Sequence, residues 1–111
     1  MNPFPGWIQA LPEVETPLTG MHGHLLASSQ GQTVFFYAEG PVQVPAHHHG
    51  AQWGIVVAGE LTLTIAGTTR RYRPGDSYHI ASGEEHAASL LPETAIVDVF
   101  ADAGRYQPRG K

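Results

Sequence analysis

A chain of 111 residues with no cysteine and a formal charge of −4 suits one domain with one core, and it excludes disulfides and thiolate metal sites. Its 6 Lys and Arg against 10 Asp and Glu leave no clustered basic face, so nucleic acid is not an expected partner. No apolar run has the length of a membrane span, and the start, Met1-Asn2-Pro3-Phe4-Pro5-Gly6, lacks the basic and apolar regions of a signal peptide, so the expectation is a cytoplasmic protein with no membrane partner.

Residues 1–20 read as an irregular arm, because Pro3, Pro5, Pro12 and Pro17 oppose a long helix or a central strand. Trp7, Ile8 and Leu11 are its apolar anchors, for the body or for a second subunit. From 21 to 102 the pattern is strand, turn, strand. Strands are expected over 24–27, 33–37 and 42–45, with turns at Ser29-Gln30-Gly31 and Gly40-Pro41. Thr33-Val34-Phe35-Phe36-Tyr37 is apolar on both faces, which places it between the core and another layer, a sheet or a partner subunit. Further strands are expected over 53–58, 61–65, 68–72, 77–80, 86–90 and 95–100. Leu61-Thr62-Leu63-Thr64-Ile65 alternates as a half-buried strand does, and Ala66-Gly67 turns it into the next. Arg70, Arg71 and Arg73 read as a solvated hairpin edge. Residues 103–111 form a polar tail with a loose end. With 13 Gly, 9 Pro and no sustained helical period, the fold class is all-β, a sandwich or barrel with little or no helix.

The chemistry concentrates in Pro45-Ala46-His47-His48-His49-Gly50-Ala51-Gln52. Residues two apart on a strand point the same way, so His47 and His49 can reach one ion while His48 faces out. Gln52 has the other parity and joins them only through a bulge or bend at Gly50-Ala51. His86 arrives from a neighbouring strand. Imidazole ligands suit Zn, Fe, Ni, Cu and Mn, so the set implies one divalent transition metal ion without naming it.

These segments resemble the two motifs of a small single-domain cupin. In the first motif, G(X)5HXH(X)3,4E(X)6G, Gly40 precedes His47-x-His49 with one extra residue between, Gln52 stands for the glutamate after a spacing of two, and Gly59 closes it. In the second, G(X)5PXG(X)2H(X)3N, Gly75, Ala81, Gly83, His86 and Leu90 take the motif positions in order. The resemblance implies a jelly-roll-like β-barrel, frequent homodimers, and an ion held by His47, His49, Gln52 and His86, with Gln52 either a ligand or a hydrogen bonder beside the ion. A neutral glutamine leaves a divalent ion its full charge, which implies weaker metal binding and stronger polarisation of an anionic or enolate-like substrate.

Several other residues are candidates beside this set. His79 and Asp98 are candidate proton carriers, Asp98 because it interrupts the apolar run 96–100. Val34, Phe36, Gly54 and Val56 are candidate pocket residues, with Gly54 leaving space above the metal. Trp53 and Ile55 belong to the opposite layer. His22-Gly23-His24 is a second His-x-His without a third ligand by spacing. Three functions remain open: a metal-dependent enzyme, oxygenase-like or enolate-handling, on a small organic substrate; a non-catalytic module that binds or senses a metal or small ligand; and a Lewis-acid isomerase or cyclase.

Overall fold

Antiparallel pairing joins every strand of the computed structural model, which describes residues 1–110. The strands are β1 (Met21–Ser28), β2 (Gly31–Ala38), β3 (Val42–His47), β4 (Gln52–Ala58), β5 (Leu61–Ile65), β6 (Thr68–Tyr72), β7 (Ser77–Ile80), β8 (His86–Leu90) and β9 (Thr94–Phe100). One sheet has five strands in the order β1-β2-β9-β4-β7, and the other has four in the order β3-β8-β5-β6. Apart from the β1–β2 and β5–β6 hairpins, neighbours in each sheet come from distant parts of the sequence, as in a jelly roll. The all-β barrel expected from the sequence is the fold observed. Among the described residues, no helix is long and apolar enough to cross a membrane.

Period-two patterning decides which side chains enter the core. In β2, Val34, Phe36 and Ala38 point inward and are buried, and in β5 Leu61 and Leu63 do the same from the opposing sheet. The inward rows of both sheets merge into one apolar cluster that includes Leu25, Val56, Ile80, Leu90 and Ile96. The β5–β6 hairpin turns on Ala66 (φ 48) and Gly67 (φ 85), the two positive φ values of a tight type I′ turn whose twist matches that of the strands. Arg70, Arg71 and Arg73 lie exposed on or beside β6, an edge strand, with Arg73 Nε 3.3 Å from Glu60 Oε1.

The layer outside β2 is the chain's own arm. A short helix, α1 (Gly6–Gln9), starts after Pro5, whose fixed φ suits a helix entry. It carries Ile8, which with Phe4 packs on Tyr37 and Ala95, with Phe35 beside them. The Phe4 and Phe35 rings meet edge to face at 5.5 Å. Residues 12–15 then cover the free edge of β1: Leu25 donates to Pro12 O at 2.8 Å and Val14 to Gly23 O at 2.9 Å. Such cover removes an unpaired strand edge.

The tail is also tied down. Gln32 and Tyr106 exchange two hydrogen bonds, Gln32 Nε2 to Tyr106 O at 2.9 Å and Tyr106 N to Gln32 Oε1 at 2.8 Å. Glu15 N donates to Gln107 O at 2.9 Å, and Arg109 N to Glu13 O at 2.6 Å. Arm and tail therefore run side by side over one end of the barrel. The loose end expected of the tail does not begin before Arg109.

Candidate metal centre

Three histidines converge between the two sheets. His47 ends β3 and lies directly opposite His86, the first residue of β8. That pairing depends on a bulge, because three steps on β3 (Val44 to His47) match two on β8 (Ala88 to His86). His49 follows in the loop that crosses to the other sheet. The bend expected at Gly50-Ala51 is present, at Gly50. The strand, however, stops at His47, so His49 joins by loop geometry and not by strand parity. Its loop is pinned on both sides: His49 O accepts from Gly83 N, and Gly50 N donates to Asp102 Oδ2, both at 2.8 Å. A side chain at Gly50 would meet that carboxylate, which explains the glycine.

The hydrogen bonds of the three rings fix their tautomers. Nδ1 of His47 faces Pro45 O at 2.9 Å, Nδ1 of His49 faces Gly50 O at 2.7 Å, and Nδ1 of His86 faces Glu84 O at 2.9 Å. A carbonyl only accepts, so each Nδ1 carries a hydrogen and each neutral ring keeps its lone pair on Nε2. One potential ligand nitrogen from each of the three falls within 4.8 Å of the others, and the ring centroids lie 4.2 to 5.2 Å apart. Nε2 of His49 is buried without a hydrogen-bond partner. Three imidazoles gathered this closely, each with a lone pair left on Nε2 and one of these buried and unpartnered among the described residues, fit a transition metal ion. Burial, the largest cause, lowers the basicity of His49 and His86, and nearby positive charges, Arg105 among them, lower it further. Both rings are thereby biased, against the pull of their carbonyl hydrogen bonds, toward the neutral form that a metal requires.

The facing sheet supplies a second polar group. Gly54 on β4 pairs with Tyr78 on β7 and with Asp98 on β9, so it sits between them in the register. With no side chain at Gly54, the Tyr78 hydroxyl reaches across the middle strand and donates to Asp98 Oδ1 at 2.6 Å. Gln52, two positions along β4, lines the same cavity as Asp98 and helps to keep its carboxyl charged. An ionised carboxylate only accepts, so a Gln52 side chain turned toward it would offer its NH2 and keep Oε1 for another partner. Burial raises the Asp98 carboxyl to about 6 against the opposing influence of Tyr78 and Gln52, and burial together with Asp98 pushes the Tyr78 phenol well above its usual value. The carboxylate missing at Gln52 is thus offered by Asp98, which lines the same cavity.

A cavity of about 630 Å³ opens onto both groups, lined by the three histidines, Gln52, Tyr78 and Asp98. Of the expected pocket residues, Phe36 lines it, whereas Val34 and Val56 are fully packed core. Gly54 does not leave open space above the histidines, because the Tyr78–Asp98 pair fills it. His48 is exposed, as expected. His79 is exposed on the outer face of its sheet, and strand alternation turns its neighbour Tyr78 inward in its place. The placement therefore separates His79 from the histidine cluster. His22 lies 2.8 Å from Glu39, and His24 Nδ1 is 2.9 Å from Leu11 O, so the second His-x-His anchors the arm and edge. Gly23 between them lies under Val14 and Phe36, where a Cβ would come within 2.8 and 2.9 Å.

Sequence reasoning missed Tyr78, Arg105 and Tyr106. Tyr78 was findable, since it shares the parity of buried Ile80. Arg105 and Tyr106 follow the last strand in a segment without period, and nothing local marks them.

Residues 30–97 match the family described as Cupin domain, more than half of the chain. No curated protein matches the sequence. Among solved structures, the chain is similar to KdgF from a Halomonas species, with 23% identity over 79% of this chain and 84% of that one, at a TM-score of 0.72. It is similar to an RmlC-like cupin from Shewanella frigidimarina, with 22% identity over 85% and 86% of the two chains, at a TM-score of 0.76. It also resembles one part of an oxalate decarboxylase from Bacillus subtilis, described for its Mn(II) centres, with 17% identity over 92% of this chain and 31% of that one, at a TM-score of 0.74. At these identities the likeness is one of fold.

Proposed function

We propose a function from the premise that this match establishes: the chain belongs to the Cupin domain family. The protein is a metal-dependent enzyme, oxygenase-like or enolate-handling, acting on a small organic substrate. One observation carries the reading, the three Nδ1-tethered imidazoles that each bring a ligand nitrogen within 4.8 Å of the others at the cavity wall. His47, His49 and His86 would hold the ion, with Gln52 Oε1 as a fourth ligand or as a hydrogen-bond acceptor beside it. A divalent transition ion supplies Lewis acidity toward a substrate oxygen there. The chain's own contribution is positioning and proton handling. Buried His86 and the apolar walls limit access of bulk water, and Asp98 stands beside Gln52 in the same lining. Asp98, with a carboxyl raised to about 6, is the group in the cavity suited to take or hold a proton.

Metal content of the untagged protein by mass spectrometry, with a His47→Ala/His86→Ala variant as control, is the test. About one iron, manganese, nickel or copper per chain, lost in the variant, supports the enzyme reading and directs assays to oxygen uptake. Zinc supports a Lewis-acid isomerase or cyclase. No metal in either protein, even after reloading, would refute the centre.

A second reading, a binding or sensing module that works as a homodimer, has its own support. Leu26, Trp53 and Val99 are exposed large apolar side chains beside a groove of about 500 Å³ on the outer face of the five-stranded sheet. A monomer by light scattering would remove that support.

A further inference from the structure

The polar groups around the cavity differ in one respect. The histidines are tied to backbone carbonyls, and Tyr78 and Asp98 to each other. Among the described residues the Arg105 side chain has no such partner. It comes from the tail after β9, and its guanidinium lies 4.5 Å from the Tyr106 ring centroid and 5.8 Å from that of Phe100. No salt bridge among the described residues includes it. Its Nε is shielded from solvent and has no hydrogen-bond partner among the described residues. Yet Arg105 lines the same cavity as His47, His49 and His86.

A buried N–H of a permanent cation without an acceptor is unfavourable until an acceptor arrives. A carboxylate makes the shortest and strongest hydrogen bonds to such a group, and a neutral oxygen makes weaker ones. The stacking aromatic rings hold the guanidinium in place, so little freedom is lost when an anion docks. The rest of the cavity limits the class of anion. Among the described residues Arg105 is the only Lys or Arg of the lining, which also contains Glu15 and Asp98, so the side chains themselves offer one permanent positive charge for one carboxylate. Val44, Leu63, Ile80 and Ile96 form apolar walls. The volume of about 630 Å³ suits a small molecule with a hydrocarbon body.

We propose that Arg105 is the specificity residue of this cavity, and that the ligand is a small organic monocarboxylate with an apolar body. Its carboxylate docks on Arg105 and a second oxygen turns toward the three histidines. Only the second oxygen rests on the metal-centre reading; the carboxylate arm does not. The selecting group thus lies outside the barrel strands, on a tail fixed by the Gln32–Tyr106 pair.

The test is calorimetric titration of the full chain with hexanoate, 2-oxohexanoate and the methyl ester of each. The proteins are wild type, Arg105→Gln, Arg105→Lys and His47→Ala/His86→Ala. Each acid binds wild type about tenfold or more tightly than its ester, the factor expected for a charge-assisted bond to a shielded donor. Arg105→Gln loses the acid-over-ester preference at unchanged metal content, and Arg105→Lys keeps part of it. The preference for hexanoate over its ester persists in the double histidine variant, so failure of the metal centre leaves this arm readable. Equal binding of acid and ester by wild type would overturn the proposal, as would no binding of either acid, or an Arg105→Gln protein that keeps the preference. Should Arg105→Gln melt well below wild type, the wild-type comparison and Arg105→Lys decide.

Discussion

Replacing Gly54 with alanine tests the packing behind the candidate site. Gly54 pairs with Tyr78 on one side and Asp98 on the other, and an added Cβ would collide with Asp98 Oδ1 and with the Tyr78 ring and hydroxyl. Neither neighbour has slack: Tyr78 is 5% exposed and Asp98 3%. The substitution therefore overpacks a filled site, at about 1–3 kcal/mol. It also separates a charge-assisted hydrogen bond, at about 1.5–3 kcal/mol. The expected loss is roughly 4 kcal/mol, which for unfolding entropy of about 2.1 cal/mol/K per residue over 111 residues corresponds to a drop in Tm of roughly 15 °C. Urea unfolding and thermal melts of the untreated and metal-stripped protein measure it, with Gly40→Ala as control because nothing lies within 4 Å of a Cβ there. A Gly54→Ala protein within 1 kcal/mol of wild type would refute the argument, since it would mean that Tyr78 and Asp98 do not meet across this strand.

Two further outcomes follow from the same interior. The folded Asp98 carboxyl sits at about 6, above the 3.8 of an ordinary aspartate, so its stabilising contribution is present below pH 4 and is lost as pH rises to 6. At pH 7 the buried charge costs ~3 kcal/mol by that shift. Asp98→Asn, in the metal-free protein, gains stability relative to wild type as pH rises from 4 to 7, and a flat difference in urea unfolding free energy across that range would contradict it. Gln32→Ala removes both hydrogen bonds that hold Tyr106, so amide exchange across residues 105–109 accelerates while the strands stay protected; unchanged exchange would show that the tail is held by other contacts.

Much of the fold was legible from local pattern. The alternation of Leu61-Thr62-Leu63-Thr64-Ile65 and the turn at Ala66-Gly67 specify a hairpin wherever they occur, because side-chain period and turn chemistry are properties of the chain itself. The same holds for the ends of β4 to β9, which fell within one residue of expectation. The histidine motif was legible because its spacing carries the cupin pattern. Other features were not. His79 and Tyr78 differ only in parity, and parity becomes inside or outside once β7 pairs with β4. The apolar outer face of Phe35 and Tyr37 announced a covering layer, but only the folded chain identifies that layer as Phe4 and Ile8 of its own arm.

The sequence by itself determined the element types, the absence of thiolate chemistry and the histidines that converge, since each follows from composition, period or spacing. Tertiary structure alone decided that a bulge at Pro45-Ala46 sets His47 opposite His86, that Gly54 gives its space to the Tyr78–Asp98 pair, and that Arg105 enters the cavity from the tail. The physical reason is that these contacts join residues far apart in sequence. They depend on strand register and chain crossing, which no local stretch of residues encodes.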